Sequence, residues 1–333
     1  MAKIAVMGAG SWGTTFAKIL ADAGNEVTIW ARRDDLVEEI NDDHRNGDYL
    51  PGIKLPKSLR ANSDAAAVLA DAEQVYLAVP SQSLRSNLQT WGSSIPKDAI
   101  LVSLMKGVEK DTGLRMSEVI AQATEFPAGQ IVVVSGPNLA LEIANEEPAA
   151  SVAASSSKAS ALAVAKAASN SYFTTFTNGD VIGTEFGGIL KNLIAVAIGI
   201  VNGVGYGQNT KASIMTRGLA EISRFAVAYG AKPSTMVGLA GLGDLIATAE
   251  SPLSRNHRAG EMLGKGYTKK EVLKRMSQTA EGLSSVAPVL NLAAEKGVSM
   301  PIVEQVNLVI EGKMNPHDIA PHLTHESEQP QGE

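Results

Sequence analysis

The fold of this chain is decided by its first strand-turn-helix segment, Lys3 to Arg33, which reads KIAVMGAGSWGTTFAKILADAGNEVTIWARR. An apolar run, KIAVM, is followed at once by glycines, then by the helical run TTFAKILADAG and a second β-rich run, EVTIW. This alternation predicts a β-α-β unit with parallel strands. Because the alternation recurs through the first half of the chain, we expect a mainly parallel, doubly wound sheet of the Rossmann type.

Gly8, Gly10 and Gly13 form a G-x-G-x-x-G motif between this strand and this helix, with Ser11 and Trp12 inside it. The first glycine permits a tight turn, the second lets the backbone approach a pyrophosphate, and the third lets helix and strand pack closely. Free N–H groups at the helix N-terminus then favour the phosphates. The motif predicts a dinucleotide site; the alternative is a glycine turn that binds no ligand.

Arg32 and Arg33 follow the second predicted strand, where a site for NAD alone usually has a carboxylate for the ribose hydroxyls. An arginine there accommodates the 2′-phosphate of NADP, so we expect NADPH to be preferred and NADH to be accepted as well. The alternative is a solvated basic pair neutralised by Asp34 and Asp35, since exposed charges often have no specific role.

Composition excludes several classes of function. The 333 residues suffice for about two domains, and 29 basic against 35 acidic residues give a net charge of -6. This charge is too weak and of the wrong sign for nucleic acid or an anionic membrane surface, so we expect small-molecule partners or a second copy of the chain. The lack of cysteine excludes disulfides and thiolate metal sites. Together with the absence of a secretory signal pattern at the start, the lack of cysteine predicts a cytoplasmic protein.

The two halves of the chain differ in pattern. After about Asp180 the strand signal disappears and the sequence becomes helical in period, rich in Ala, Leu, Ile and Met. We therefore predict a dinucleotide-binding Rossmann domain over 1–180, an all-helical substrate-binding and catalytic domain over 181–325, and a polar tail over 326–333.

The segment from Glu185 to Gly207, EFGGILKNLIAVAIGIVNGVGYG, is almost entirely apolar or small, yet it contains Lys191 and Asn192. A charge and several glycines inside it favour a buried helix over a membrane span, and we predict no span. If Lys191 lies near the start of that helix, burial and the helix dipole should both lower its pKa. Such a lysine can donate a proton in a reduction and accept one in an oxidation.

Hydride transfer to a carbonyl also requires a proton for the developing alkoxide. The five histidines show no paired metal or catalytic spacing, and no metal site is predicted. Lys191 is one candidate donor, and Lys106, at the end of the run AILVSLMKG, is expected at the sheet edge where open α/β folds bind ligands. The alternative for Lys191 is a structural ion pair with Glu185 or Asp244, because buried charges are generally paired.

A family resemblance is carried by a series of strings in order along the chain: GAGSWGTTFA, AVPSQSLR, MKGVE, SGPNLALEIA, EFGGILKNLIAVAIGI, NTKASIMTRGLAEI, GLAGLGDLIATAESPLSRNHRAG and AEG. In their order and spacing the chain resembles the bacterial NAD(P)-dependent sn-glycerol-3-phosphate dehydrogenases over nearly its whole length. The resemblance implies reversible reduction of dihydroxyacetone phosphate to sn-glycerol 3-phosphate, the backbone precursor of glycerophospholipids, by a homodimer.

The resemblance also implies site residues. Lys191 is expected to be the general acid/base, with Lys106 beside substrate and cofactor and Asp244 orienting or charge-balancing Lys191. These residues should meet beside the nicotinamide. Further implied substrate contacts are Gly136, Asn138, Asn192, Ser254, Arg255 and Asn256, and further cofactor contacts are Ala140, Arg255, Thr279 and Glu281. A dianionic phosphate ester requires such charge, since an arginine offers a planar fork and a lysine a point charge.

Three positions depart from the family pattern: Asn138 stands where Ser or Thr is common, Leu141 where many members have Lys, and Thr279 where an aliphatic residue is usual. They affect details of substrate contact, because an asparagine still donates and accepts hydrogen bonds. Two other functions stay open. One is a β-hydroxyacid or ketopantoate-type reductase, whose substrates are carboxylates, and the other is a nucleotide sensor without turnover.

Overall fold

The computed structural model describes residues 1–276 and 280–319; Thr279 and the predicted tail, 326–333, lie outside these ranges. The described residues form two compact units, Met1–Glu185 and a second that begins at Phe186. The first unit contains all strands found among the described residues. They are β1 (Lys3–Met7), β2 (Glu26–Trp30), β3 (Arg60–Asn62), β4 (Gln74–Leu77), β5 (Ile100–Ser103), β6 (Ile131–Ser135), β7 (Ala149–Ala154) and β8 (Phe173–Asn178).

The strands form one sheet in the order β3-β2-β1-β4-β5-β6-β7-β8. Neighbouring strands run parallel except β6 and β7, which pair antiparallel with Val134 opposite Ala153. The first six strands have the order 3-2-1-4-5-6 of the doubly wound dinucleotide-binding fold. The expectation of a Rossmann-type, mainly parallel sheet followed by a helical region is confirmed.

Strand β3 has no signal in the sequence. Its three residues, RAN, include no β-branched or aromatic side chain, which are the residue types that favour strands. It is a strand because it pairs with β2 at the edge of the sheet, with Thr28 opposite Arg60. Tertiary pairing therefore overrides local preference at this position.

Helices cover both faces of this sheet. Those that begin and end in the first unit are α1 (Ser11–Asp22), α2 (Asp34–Glu38), α3 (Ala65–Leu69), α4 (Leu84–Trp91), α5 (Met116–Thr124), α6 (Ala140–Ala144) and α7 (Lys158–Ala168), with a π turn at Glu39–Asp43. Alternate side chains of a strand point to opposite faces. Ile4 and Val6 accordingly pack with Phe16 of α1 in one core, whereas Ala5 and Met7 belong to a second core.

The rest of the described chain is helical. Its helices are α8 (Val181–Val204), α9 (Gln208–Ala228), α10 (Pro233–Met236), α11 (Asp244–Glu250), α12 (Arg255–Gly264), α13 (Lys269–Arg275), α14 (Glu281–Glu295) and α15 (Pro301–Ile310), with a π turn at Leu239–Gly243. Within the second unit α8 and α12 touch through glycines. A Cβ on Gly260 would lie 2.2 Å from the carbonyl oxygen of Val196, and one on Gly199 would lie 2.1 Å from that of His257. The two backbones therefore approach more closely than larger residues would allow.

Helix α8 contains the apolar segment that the sequence singles out. Among the described residues it alone is long and apolar enough to cross a membrane, yet 83% of its 18-residue apolar window is buried inside the protein. Lys191 and Asn192 lie within it and are themselves buried. Such burial is typical of the core helix of a water-soluble fold, in agreement with the prediction of no membrane span.

Candidate functional site

The glycine-rich loop lies between β1 and α1, and each of its glycines is required by a different constraint. Gly8 has a φ of 128°, and a Cβ on it would lie 2.7 Å from the carbonyl oxygen of Ala78, which follows β4. A Cβ on Gly13 would lie 2.0 Å from the carbonyl oxygen of Gly8. At Gly10 the added Cβ would meet no atom within 4 Å. The loop is therefore closed toward the protein and open at Gly10.

This opening lies at the switch point of the sheet. The chain leaves β1 toward β2 on one side and returns at β4 on the other, and such folds bind ligands in the crevice at that point. Helix α1 begins at Ser11, so its first N–H groups face the loop. The loop thus meets the steric and electrostatic requirements of a pyrophosphate, and a dinucleotide fits these residues.

Three further predicted cofactor contacts, Ala140, Arg32 and Arg33, lie in the same unit. The hydroxyl of Thr15 in α1 donates to the carbonyl oxygen of Ala140, 3.2 Å away, which holds the start of α6 beside α1. Arg33 forms an ion pair with Asp48 and a second with Asp35 at 3.5 Å. Arg32 is exposed and forms no ion pair within the described part of the chain. The two arginines of the predicted basic pair therefore differ, because among the described residues Arg33 is ion-paired with carboxylates and Arg32 is not.

Lys106 follows β5 at the carboxyl edge of the sheet. Its Nζ donates to the carbonyl oxygen of Gly136, which directly follows β6, at 3.1 Å. Two residues beyond Gly136, the side-chain amide of Asn138 is buried, and neither its nitrogen nor its oxygen has a hydrogen-bond partner among the described residues. Buried amides are nearly always hydrogen-bonded in native proteins. Asn138 therefore presents a donor and an acceptor that suit a ligand.

The segment carrying Lys106 is anchored by residues whose role the sequence did not suggest. Gln82 donates from Nε2 to the carbonyl oxygen of Val108 at 2.8 Å and accepts from the N–H of Lys110 at 3.1 Å. Arg85 binds both carboxylate oxygens of Glu109, each at 2.8 Å. These hydrogen bonds join the strings AVPSQSLR and MKGVE, which the sequence shows only as separate motifs.

In the second unit Lys191 forms a buried cluster with α11. Its Nζ lies 2.7 Å from Oδ1 of Asp244 and also donates to the hydroxyl of Thr248, which itself donates to Asp244 at 3.3 Å. Asp244 and Thr248 are four residues apart, hence on one face of α11. All three side chains are buried. Thr248 had no part in the predicted site, although its spacing from Asp244 is the signal that could have indicated it.

One expectation about Lys191 is wrong. Helix α8 begins at Val181 rather than close to the lysine, so Lys191 lies about three turns inside the helix. The field of the helix dipole is confined to the terminal turn and does not act there. Of the two partners considered for Lys191, Asp244 is observed. Glu185 instead accepts from the side chain of Arg115 and, at 2.9 Å, from the N–H of Ser117.

The predicted substrate residues of the second unit tie three helices together. Asn256 of α12 donates from Nδ2 to Oδ1 of Asn192 in α8 at 2.8 Å, and its Oδ1 accepts from the N–H of Gly282 in α14 at 2.9 Å. Ser254 caps α12 by accepting from the N–H of His257. The cap and the asparagine pair fix the first residues of two helices, Arg255 of α12 and Glu281 of α14.

The structure thus brings together Lys191 with Asp244, Lys106 with Gly136, and Asn192 with Asn256. The meeting of Lys106 with Lys191 beside a nicotinamide stays a prediction. Three features define the class of protein: the sheet order, the glycine-rich loop at the switch point and the helical unit that follows. The class is that of dinucleotide-dependent dehydrogenases with a Rossmann-type first unit.

Comparison with known proteins narrows this class. Residues 3–161 match the family model for the N-terminus of NAD-dependent glycerol-3-phosphate dehydrogenase, and residues 180–321 match the model for its C-terminus. The chain belongs to the NAD-dependent glycerol-3-phosphate dehydrogenase family. A glycerol-3-phosphate dehydrogenase (NAD(P)+) of Leifsonia xyli subsp. xyli is 63% identical over 328 residues, which cover 98% of this chain and 89% of the relative.

Solved structures agree with this assignment. The glycerol-3-phosphate dehydrogenase of Coxiella burnetii superposes with a TM-score of 0.89 at 34% identity, covering 97% of this chain and 98% of that one. A ketopantoate reductase from Ralstonia eutropha reaches a TM-score of 0.59 at 16% identity, covering 97% and 99% of the two chains. The second likeness shows a shared fold only.

Proposed function

We propose that this chain catalyses the reversible reduction of dihydroxyacetone phosphate to sn-glycerol 3-phosphate with NADPH or NADH, and that Lys191 supplies the proton. The observation that carries the proposal is the buried hydrogen-bonded cluster of Lys191, Asp244 and Thr248 in a member of this family. A positioned lysine of this kind has the chemistry of a general acid.

Bound NAD(P)H supplies the hydride. Asp244 accepts a hydrogen bond from Nζ of Lys191 at 2.7 Å, and Thr248 fixes the direction of Nζ by accepting a second hydrogen bond. As negative charge develops on the ketone oxygen, Lys191 donates a proton to it. The neutral amine that results can still donate to Asp244, so the cluster persists through the step. In the reverse direction the amine accepts the proton from the alcohol.

Recognition of the phosphate is assigned to the cationic and amide side chains. Arg255, at the first position of α12, offers a planar fork of donors, and Lys106 contributes a point charge. Asn192, Ser254 and Asn256 are proposed as neutral contacts. Asn138 is proposed to contact the substrate as well, supported by its buried amide without a protein partner among the described residues.

The cofactor contacts are proposed on the same basis. The loop of Gly8, Gly10 and Gly13, with Ser11 and Trp12, is assigned to the pyrophosphate end, and Arg32 to the 2′-phosphate of NADPH. Further contacts are proposed for Arg33, Lys106, Ala140, Arg255, Thr279 and Glu281. The product serves glycerophospholipid synthesis. We place the enzyme in the cytoplasm, in line with the absence of cysteine, and propose a homodimer from the family resemblance.

A substrate panel tests this function. The purified protein should oxidise NADPH when dihydroxyacetone phosphate is added, and should leave it unchanged with ketopantoate, with other 2-oxoacids, or without a ketone. Turnover with a carboxylate substrate alone would show a β-hydroxyacid or ketopantoate-type reductase. Binding of NADPH without turnover on any ketone would show a nucleotide sensor. The same assay with NADH measures the cofactor preference.

A further inference from the structure

Asn46 lies outside every predicted site, yet its side chain contacts the glycine-rich loop. It is fully buried, and its Nδ2 donates to the carbonyl oxygen of Ala9 at 3.0 Å and to the hydroxyl of Thr14 at 2.8 Å. Ala9 stands between the first two glycines of the loop, and Thr14 lies in the first turn of α1. Because a carbonyl oxygen only accepts hydrogen bonds, the NH₂ end of the Asn46 amide must face Ala9.

This contact sets the direction of a neighbouring amide. The Ala9 carbonyl and the Gly10 N–H belong to one planar peptide, which is trans, so the two groups point in opposite directions. When Asn46 holds the Ala9 oxygen, the Gly10 N–H is turned away from Asn46. No protein acceptor among the described residues takes that N–H, and the space beside Gly10 is open. The N–H therefore remains a donor for a ligand.

The segment that presents Asn46 is itself fastened at several points. The N–H of Gly47 donates to Glu39 at 2.8 Å, Asp48 pairs with Arg33, and Leu50 is buried in the core. Asn46 is therefore presented by a fixed stretch of chain rather than by a free loop. Its Oδ1, by contrast, is buried without a partner among the described residues, which costs free energy. The two hydrogen bonds that Nδ2 donates offset this cost, so the donor end of the amide is the end that holds the loop.

We propose that Asn46 is a positioning residue for the cofactor: it fixes the Ala9–Gly10 peptide so that the Gly10 N–H faces the pyrophosphate. Asn46 itself does not touch the ligand. The inference rests on dinucleotide binding and not on which ketone is reduced, so a negative substrate panel leaves it intact.

The test uses Asn46→Ala with Asn41→Ala as a matched control. Asn41 is also partly buried. It makes two hydrogen bonds of 2.9 Å, and both are with the backbone of Ala61 rather than with the glycine-rich loop. Binding is titrated directly with NADPH, NADH and adenosine 2′-monophosphate, which lacks the pyrophosphate. We expect Asn46→Ala to weaken both dinucleotides roughly tenfold, to leave adenosine 2′-monophosphate unchanged, and to leave kcat at saturating cofactor unchanged. Asn41→Ala should bind all three ligands as the parent does.

A second variant keeps the volume of the side chain in case alanine prevents folding. In Asn46→Asp the ionised carboxylate cannot donate to Ala9, whereas the protonated acid can. Its NADPH affinity should therefore improve relative to the parent as the pH is lowered. Any one of three results would overturn the proposal. These are an equal loss of affinity for all three ligands, an equal loss of affinity in the Asn41 control, and unchanged NADPH binding in both Asn46 variants.

Discussion

The glycine-rich loop of the first unit and the lysine cluster of the second are built in opposite ways. The loop consists of backbone from consecutive residues, Gly8 to Gly13, and its geometry follows from where a Cβ cannot fit. The cluster consists of side chains, and Lys191 meets Asp244 across 53 positions of sequence. The loop therefore depends on local conformation, whereas the cluster depends on how α8 packs against α11.

The loop and the cluster also differ in the free energy that their formation costs. The loop needs only the correct turn, because the first N–H groups of any helix lack partners and are already available to a ligand. The cluster requires burial of an ammonium and a carboxylate, which is unfavourable unless both are hydrogen-bonded to each other. Thr248 contributes by accepting a hydrogen bond from Lys191. A buried pair maintained in this way is expected to have a chemical role, and that expectation can be tested.

The largest effect is expected from removing the lysine. Lys191→Met keeps the length and burial of the side chain but removes the proton, so kcat should fall by about 100- to 10,000-fold. NADPH binding should be unchanged, because Lys191 is not among the proposed cofactor contacts. Lys191→Arg keeps the charge and its pairing with Asp244 but does not release a proton at accessible pH, so it should be as inactive as Lys191→Met.

Steady-state kinetics and direct NADPH titration check both variants, with Lys265→Met as control. Lys265 is an exposed lysine paired with Glu261, and its variant should retain full activity. Substantial turnover in Lys191→Arg would mean that Lys191 serves as an ion-pair partner only, the structural alternative that the sequence left open.

The contrast also explains what the sequence could predict. The β1-loop-α1 segment is a local pattern, so the place of the dinucleotide loop follows from Lys3 to Arg33. The Rossmann class follows because the same alternation recurs through the first half of the chain. Strand β3 and the anchoring of Lys106 by Gln82 and Arg85 depend on pairing between distant segments, for which a single sequence carries no signal. The sequence places Lys191 too near the start of α8, because the helix begins at Val181, before the apolar run.

A second buried carboxylate of the helical unit gives a smaller, pH-dependent effect. Glu221 of α9 accepts from the N–H groups of Ile302 at 3.0 Å and Val303 at 3.1 Å, at the start of α15. Burial raises its pKa from 4.5 to about 7 despite these bonds. The folded state thus binds a proton that the unfolded state releases, so stability should fall by about 3 kcal/mol as pH rises from about 4.5 to about 7.

Urea unfolding at about pH 5 and about pH 7.5 measures this loss, and the comparison is between variants. In Glu221→Gln the side chain is neutral throughout, so the difference in stability between the two pH values should shrink by about 2 kcal/mol, the part of the loss that falls between them. Glu304, whose charge also raises the pKa of Glu221, is the control. Glu304→Gln should retain most of the difference, and an undiminished difference in Glu221→Gln would assign the dependence to other groups.

The smallest effect, and the sharpest test of a backbone-built site, comes from single methyl groups in the loop. Gly10→Ala places a Cβ where no protein atom lies within 4 Å, so the thermal midpoint should be unchanged. The methyl occupies space assigned to the pyrophosphate, and overpacking of about 1–3 kcal/mol corresponds to NADPH binding weakened roughly five- to 150-fold.

Gly13→Ala places its Cβ 2.0 Å from the Gly8 oxygen, so the loop must shift and both binding and thermal midpoint should fall. Gly92→Ala, with an added Cβ 3.7 Å from that of Leu88, is the control and should change neither. Differential scanning fluorimetry with and without NADPH separates the two losses. If Gly10→Ala bound NADPH like the parent, the phosphates would not lie at the open side of the loop. The glycine-rich loop would then not be a binding site built from backbone, and its contrast with the lysine cluster would be lost.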